Sequence, residues 1–327
     1  MKKILNVFLS VVLALGAFAL ASCDKGTATT QEKTEITIAM PDGAPVLAAF
    51  SLMKNPVLDG HKINFKVVSG KQNIAAVISS GEADVAVMPT NAAATLYNKG
   101  NKIKLLSVNV YGVLYMIGQT PIADMTDLYG KVVYNIGAGG TPDVTLRYIF
   151  DKNGIAYEES ETAVEGKVAL AYVSEASAAV GKVKTDANAY GIVGEPVATN
   201  AKAAANASVV MDIQKEWKAL TGKDLPQAGV VMRENVYNDE KLVSALLAAL
   251  NENPEYIVEN VGEVSEVIAA NGSGLKANFT AELLGRCNLK CVAAKQAKAD
   301  LESYFNEIKA FDKTLIGGDL PNEGFYY

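Results

Sequence analysis

Short β-prone runs alternate with helix-patterned stretches from residue 36 into the last third of this chain. That rhythm limits its fold more than any single motif does. ITIAM (36–40) reads as a strand, followed by the turn PDGAP and the apolar-faced VLAAFSLMKN. KINFKVV leads through the turn SGKQ to the helix-like NIAAVISSG. DVAVMP leads to TNAAATLYNKG, where Gly100 stands at the place of a left-handed C-terminal cap. This βαβα order predicts an α/β fold with largely parallel, doubly wound sheets.

KIKLLSVNVYGVLYMIG is a long β-prone run, and a second series begins after it. KVVYNI reads as a strand and TPDVTLRYIFDKNG as a helix ending at Gly154. KVALAYV, SEASAAVGKVKT and AYGIVGEPVATNAKAAA repeat the alternation. The Ala-rich AKAAANASVV (201–210) is expected to be a small-residue helix surface. After AGVVMREN the chain turns mostly helical. At 327 residues it exceeds the usual single core. The expected organisation is lobe I from 36–117 plus 226–327 and lobe II from 118–225, with two chain crossings as a hinge and a ligand cleft between.

The first residues are of another kind. MKKILNVFLSVVLALGAFALASC has a Lys2–Lys3 head, an apolar stretch and small residues before Cys23. Residues 1–22 read as a signal peptide, with a transmembrane anchor as the alternative. LASC resembles the lipobox of bacterial lipoproteins, which implies lipidation of Cys23. Two acyl chains on that cysteine would hold the exported protein on the outer face of the bacterial membrane. Residues 23–35 are polar and Thr-rich, as suits a tether. Cys287 and Cys291 then remain, either as a disulfide or as two thiols, and CxxxC without nearby His is a poor zinc site. The formal net charge of −6 and the absence of clustered Lys and Arg argue against a nucleic-acid partner.

Five stretches, GEADVAVMPTNAAATLYNKG (81–100), SVNVYGVLYMIG (107–118), DLYGKVVYNIGAGGTPDVTLRYIFDKNGI (127–155), GIVGEPVAT (191–199) and IGGDLPNEGFYY (316–327), together resemble one family. It is the substrate-binding lipoproteins of ABC importers, in the branch named for nitrate, sulfonate, taurine or thiamine precursors. The resemblance implies a type II periplasmic-binding-protein fold, with two doubly wound lobes joined by a two-strand hinge. It also implies a monomer that captures a small solute and delivers it to a permease with a cytoplasmic ATPase, without a cofactor or metal. Carried over by position, the ligand contacts would be Asp42, Gly43 and Ala44, then Thr90 and Asn91, then Tyr111 and Gly112. Gly139, Gly140 and Thr141 follow, then Ser174 and Glu175, then Glu195 with Pro196.

Each of these residues has a plainer role open to it. PDG is an ordinary turn, Thr90 and Asn91 suit a helix N-cap, and Tyr111 suits a core. NIGAGGTP departs from the dinucleotide fingerprint at Pro142 and lacks a Walker lysine. Thr141 is expected as N-cap and Pro142 as the first helical residue, leaving bare backbone donors for a polar oxygen. None of Arg147, Arg233 and Arg286 lies in the nominated loops, and Arg147 falls inside its helix. Asp42, Glu175 and Glu195 offer acceptors instead. The solute is therefore expected to be neutral, zwitterionic or amine-bearing, ahead of nitrate or sulfate.

An enzymatic role finds little chemistry. His61, the sole histidine, sits in the turn VLDGHK, and no nucleophile elbow or zincin motif occurs. Fungal thiamine-pyrimidine synthases share this general fold but depend on histidine and a cysteine-rich motif that this chain lacks. A sensing or adhesive surface lipoprotein with the same fold stands as the closer alternative.

Overall fold

The strand candidates assemble into two sheets. The computed structural model describes residues 35–68, 73–136 and 138–327. The signal peptide, Cys23, the tether up to residue 34, the SGKQ turn and Gly137 lie outside the described residues.

The chain first lays down β1 (Glu35–Pro41), β2 (Val57–Leu58), β3 (His61–Val68), β4 (Val85–Pro89) and β5 (Ile103–Val110). It then crosses to form β6 (Leu114–Gly118), β7 (Val132–Ile136), β8 (Tyr157–Glu159), β9 (Val168–Val173), β10 (Ala189–Gly194) and β11 (Ser208–Asp212). It returns for β12 (Ala228–Arg233) and β13 (Leu289–Ala293). The first sheet has the order β13-β5-β12-β4-β1-β3-β2 and the second β11-β6-β10-β7-β9-β8. The expected largely parallel pairing holds only within β3-β1-β4 and within β10-β7-β9-β8. β12 pairs antiparallel with both β4 and β5, and β6 antiparallel with β10 and β11. Strands that enter or leave by a crossing run against their neighbours, so both sheets are mixed.

Local sequence explains most of the elements. β4 is buried along VAVM because helices cover both faces of the sheet, hence its unbroken apolar run. The helix Ile74–Ser80 starts where the Asn73 side chain accepts from Ala75 N. It stops at Gly81 in the left-handed region (φ 84°), a conformation that costs glycine little. The long run 102–118 is divided at Tyr111–Val113, where the chain leaves one sheet for the other. AKAAANASVV is not one helix surface. The helix Val197–Ala205 ends at Asn206, which takes a left-handed cap (φ 53°), and Ser208 already belongs to β11.

Apolar layers cover both faces of each sheet. One of them crosses between the sheets. Val144 and Trp217, from helices of the second half, pack in the same layer as Met88, Leu301, Tyr304 and Phe305 of the first. No helix among the described residues is long and apolar enough to cross a membrane. Cys287 and Cys291 are free thiols, and burial pushes the Cys287 pKa up to about 12.

Candidate functional site

The two crossings lie side by side. Gln227 N donates to Val110 O at 3.0 Å, and Val113 N donates back to Gln227 Oε1 at 3.0 Å. Leu114 N donates to Gln214 Oε1 at 2.9 Å, and Asn288 Nδ2 to Gly112 O at 2.7 Å. Three amide side chains therefore satisfy the backbone of a segment that has left one sheet and not yet joined the other, where open donors would be costly. Gly112 is required here. Its φ is +72°, and a Cβ would stand 2.6 Å from Gln214 Cβ. Gly112→Ala is expected to lose about 1–3 kcal/mol of stability in urea denaturation. An unchanged midpoint would show that the crossing relaxes freely.

Beside the crossings a cavity of about 530 Å³ opens between the halves. Asp42, Gly43 and Ala44 line it from the end of β1, with Leu275 and Lys276 from a later loop. Glu175, Glu195 and Pro196 line it from the second half, and Val113 and Gln227 from the crossings. The structure thus gathers residues from three separate stretches that were nominated on sequence. Ser174, exposed after β9, is not among this lining.

The carboxylates in that wall are already engaged. Asp42 Oδ1 accepts from Gly43 N and from Ser273 Oγ (2.6 Å), and its Oδ2 accepts from Gly274 N at 2.9 Å. The Glu195 side chain is fully buried; Oε2 accepts from Thr199 N and Oε1 from Thr199 Oγ1. Arg286 Nη2 also reaches Glu195 Oε1 at 2.6 Å, without the angle of a hydrogen bond. An arginine outside the nominated loops therefore touches a residue of the cavity wall without lining the cavity itself. It comes from the C-terminal end of the helix Ala281–Arg286 and crosses to the other half. Glu175, by contrast, is exposed, and it accepts from Ser177 Oγ at 2.7 Å.

The glycine turn is built differently from its expectation. Gly140 holds the N-cap position without a side-chain cap, Thr141 is the first helical residue, and Pro142 follows it. Thr141 is spared from capping because its hydroxyl donates to Asn91 Oδ1 in the other half, at 3.2 Å. Nor is Gly139 N bare. It donates at 2.8 Å to Asp143 Oδ2, a carboxylate of the same helix's first turn. Asp143 is buried, and its Oδ1 accepts from Arg147 Nε and from Tyr172 Oη, both at 2.9 Å. Arg147 continues to Glu159 at 2.5 Å. The i,i+4 spacing of Asp143 and Arg147 was the one readable signal of this network.

Thr90 and Asn91 are likewise not an N-cap pair, because Pro89 holds that position and Thr90 opens the helix Thr90–Asn98. Thr90 Oγ1 donates to Pro226 O at 2.6 Å, and Asn91 Nδ2 to Leu315 O at 3.4 Å. Thr90, Asn91 and Thr141 form a buried polar seam between the halves, next to Tyr304, whose pKa burial pushes up to about 12. Tyr111 and Gly112 fall elsewhere again. Tyr111 is buried and faces a separate groove, described below, and burial raises its phenol pKa. Gln214, Gln227, Arg286 and Asn288 were missed on sequence because each acts on a segment far along the chain, without a local motif. Among the described residues no group of His, Cys, Asp or Glu is arranged to hold a metal ion.

Comparison with known proteins adds three findings. A family described as menaquinone biosynthesis matches residues 162–311. No curated protein matches in sequence. Among solved structures, an ABC transporter from Parabacteroides distasonis superposes with a TM-score of 0.76 at 25% identity, over 90% of this chain and 99% of that one. The periplasmic aliphatic sulphonate binding protein SsuA from Escherichia coli gives 0.67 at 13% identity, covering 90% and 92%. A ligand-binding component of an ABC-type import system from Staphylococcus aureus, with zinc bound, gives 0.62 at 11%, covering 90% and 96%. The fold is that of periplasmic binding proteins of type II, two mixed α/β halves joined by paired crossings.

Proposed function

We propose that this protein is an extracytoplasmic solute-binding protein that captures a small organic solute between its halves and passes it to an ABC importer's permease. The observation that carries the reading is the cavity at the paired crossings, lined from both halves, in a fold shared with the ABC transporter of Parabacteroides distasonis. The two halves, which meet at the crossings around Tyr111–Val113 and Gln227, would close on the solute, whose better affinity for the closed form drives the closure. The ligand contacts proposed are Asp42, Gly43, Ala44, Glu175 and Glu195 around the cavity. Gly139, Gly140 and Ser174 are proposed to join them on closure. Lipidation at Cys23 after removal of residues 1–22 would tether the protein to the membrane, and a Cys23→Ser variant recovered in the soluble fraction would support that.

The charge pattern favours a neutral, zwitterionic or amine-bearing solute over a simple anion. Asp143 already fills the turn that an anion would use, and Arg286 neutralises Glu195. A thermal-shift screen of zwitterions, amines, heterocycles, sulfonates and oxyanions tests this. A true solute at a hundred times its dissociation constant is expected to add about 2.7 kcal/mol of stability. Stabilisation by sulfonates or nitrate alone would overturn the charge assignment, and no stabilisation by any class would count against solute capture.

The match to the menaquinone biosynthesis family favours a second reading, in which the halves enclose a reaction. The two separate cleanly. A capturing protein returns its solute chemically intact, whereas an enzyme returns it altered in mass.

A further inference from the structure

On the other side of the Arg286–Glu195 pair lies a groove of about 410 Å³ that does not share the cavity's lining. Lys215, Lys218, Arg286 and Lys290 line it together with Asp212 and Asp224. The cations outnumber the carboxylates there, in a chain whose formal net charge is −6. Lys218 and Lys290 share one carboxylate, each 2.8 Å from Asp224, and together they hold its pKa below the usual carboxylate range. Two aromatic rings form the floor. Lys290 Nζ stands 5.0 Å over the Tyr111 ring, and Arg286 Cζ stands 5.2 Å over that of Tyr115. Gln214, whose Oε1 holds the crossing, lines the groove with its buried Nε2 lacking a hydrogen-bond partner among the described residues. The walls come from both halves, across the crossing itself.

We propose that this groove is a second binding site, for a soluble, compact polyanion with phosphate-type oxygens. Lys218 and Lys290 would turn from their shared aspartate to the anion, with Arg286 and the Gln214 amide completing the donors. Arg286 is the partition between the two spaces. An anion that draws its guanidinium into the groove weakens its hold on Glu195, so occupancy of the groove is communicated to the cavity wall. The proposal rests on none of the residues that carry the solute reading except that pair.

Pyrophosphate titrated into the purified full chain at low ionic strength, followed by calorimetry, tests it. Binding of one equivalent is expected, weakened about tenfold or more in Lys218→Ala/Lys290→Ala. Both side chains are largely exposed, so the variant keeps its fold, which circular dichroism checks. No binding, or equal binding by the double variant, overturns the site. In amide spectra the same titration is expected to shift Glu195–Thr199 as well as Lys215–Lys218. Shifts confined to the groove overturn the link to the cavity. Neither outcome bears on solute capture, which the thermal-shift screen decides.

Discussion

Arg286→Ala is expected to destabilise the protein by about 3 kcal/mol in chemical denaturation. The reason is what it leaves behind. The Glu195 side chain is fully buried, and Arg286 is its only cationic partner among the described ion pairs. Removing one partner of a buried pair strands the other charge in a medium that solvates it poorly. The loss should fall at the lower end of the range for such pairs, because the Arg286 side chain is one-third exposed. The Arg286→Ala/Glu195→Gln double variant should return to within about 1 kcal/mol of the parent, since a neutral amide oxygen still accepts from Thr199 N. The remaining deficit is the lost stacking of Arg286 on Tyr115. Equal stability of single and double variants would show that charge compensation is not what holds the site.

Trp217→Ala should cost about 3–5 kcal/mol, the largest loss of any single substitution considered. Trp217 is 2% exposed and stands between helices of the two halves. Its ring centroid lies 4.9 Å from Tyr148, and 5.6 Å from Tyr304 in an edge arrangement. The cavity left by truncation would open in the layer that Val144 and Tyr304 also share, so the halves would lose apolar contact there. Trp217→Phe is the sharper companion. The indole Nε1 has no hydrogen-bond partner among the described residues, so phenylalanine gives up volume and no hydrogen bond, for about 1–2 kcal/mol. Circular dichroism must follow both, because this is the sole tryptophan. Comparable losses for the two variants would mean that the indole N–H is satisfied by something other than protein.

Much of the site's scaffolding was visible in particular residues. PDGAP and GIVGEP hold contacts that the family resemblance implies, and both stretches line one cavity. PDGAP is also legible locally, as a turn after a β-prone run. The glycine turn was legible as a turn and a helix start, but not in its capping. Threonine before proline is a fair N-cap by local preference. Here tertiary contacts drew the Thr141 hydroxyl to Asn91, and Asp143 took over Gly139 N instead. Local preference is worth about 1 kcal/mol, which one buried hydrogen bond to the other half can outweigh.

The sequence by itself determined the succession of strands and helices and the glycine stops at Gly100 and Gly154. Those follow from periodicity and backbone freedom, which act over a few residues. Only the tertiary structure decided that strands flanking the crossings run antiparallel, and that Trp217 belongs to the other half's apolar layer. It also decided that Arg286 neutralises Glu195. Such pairings depend on which segments the fold brings within a few ångströms, and no local pattern encodes a partner that lies in the other half.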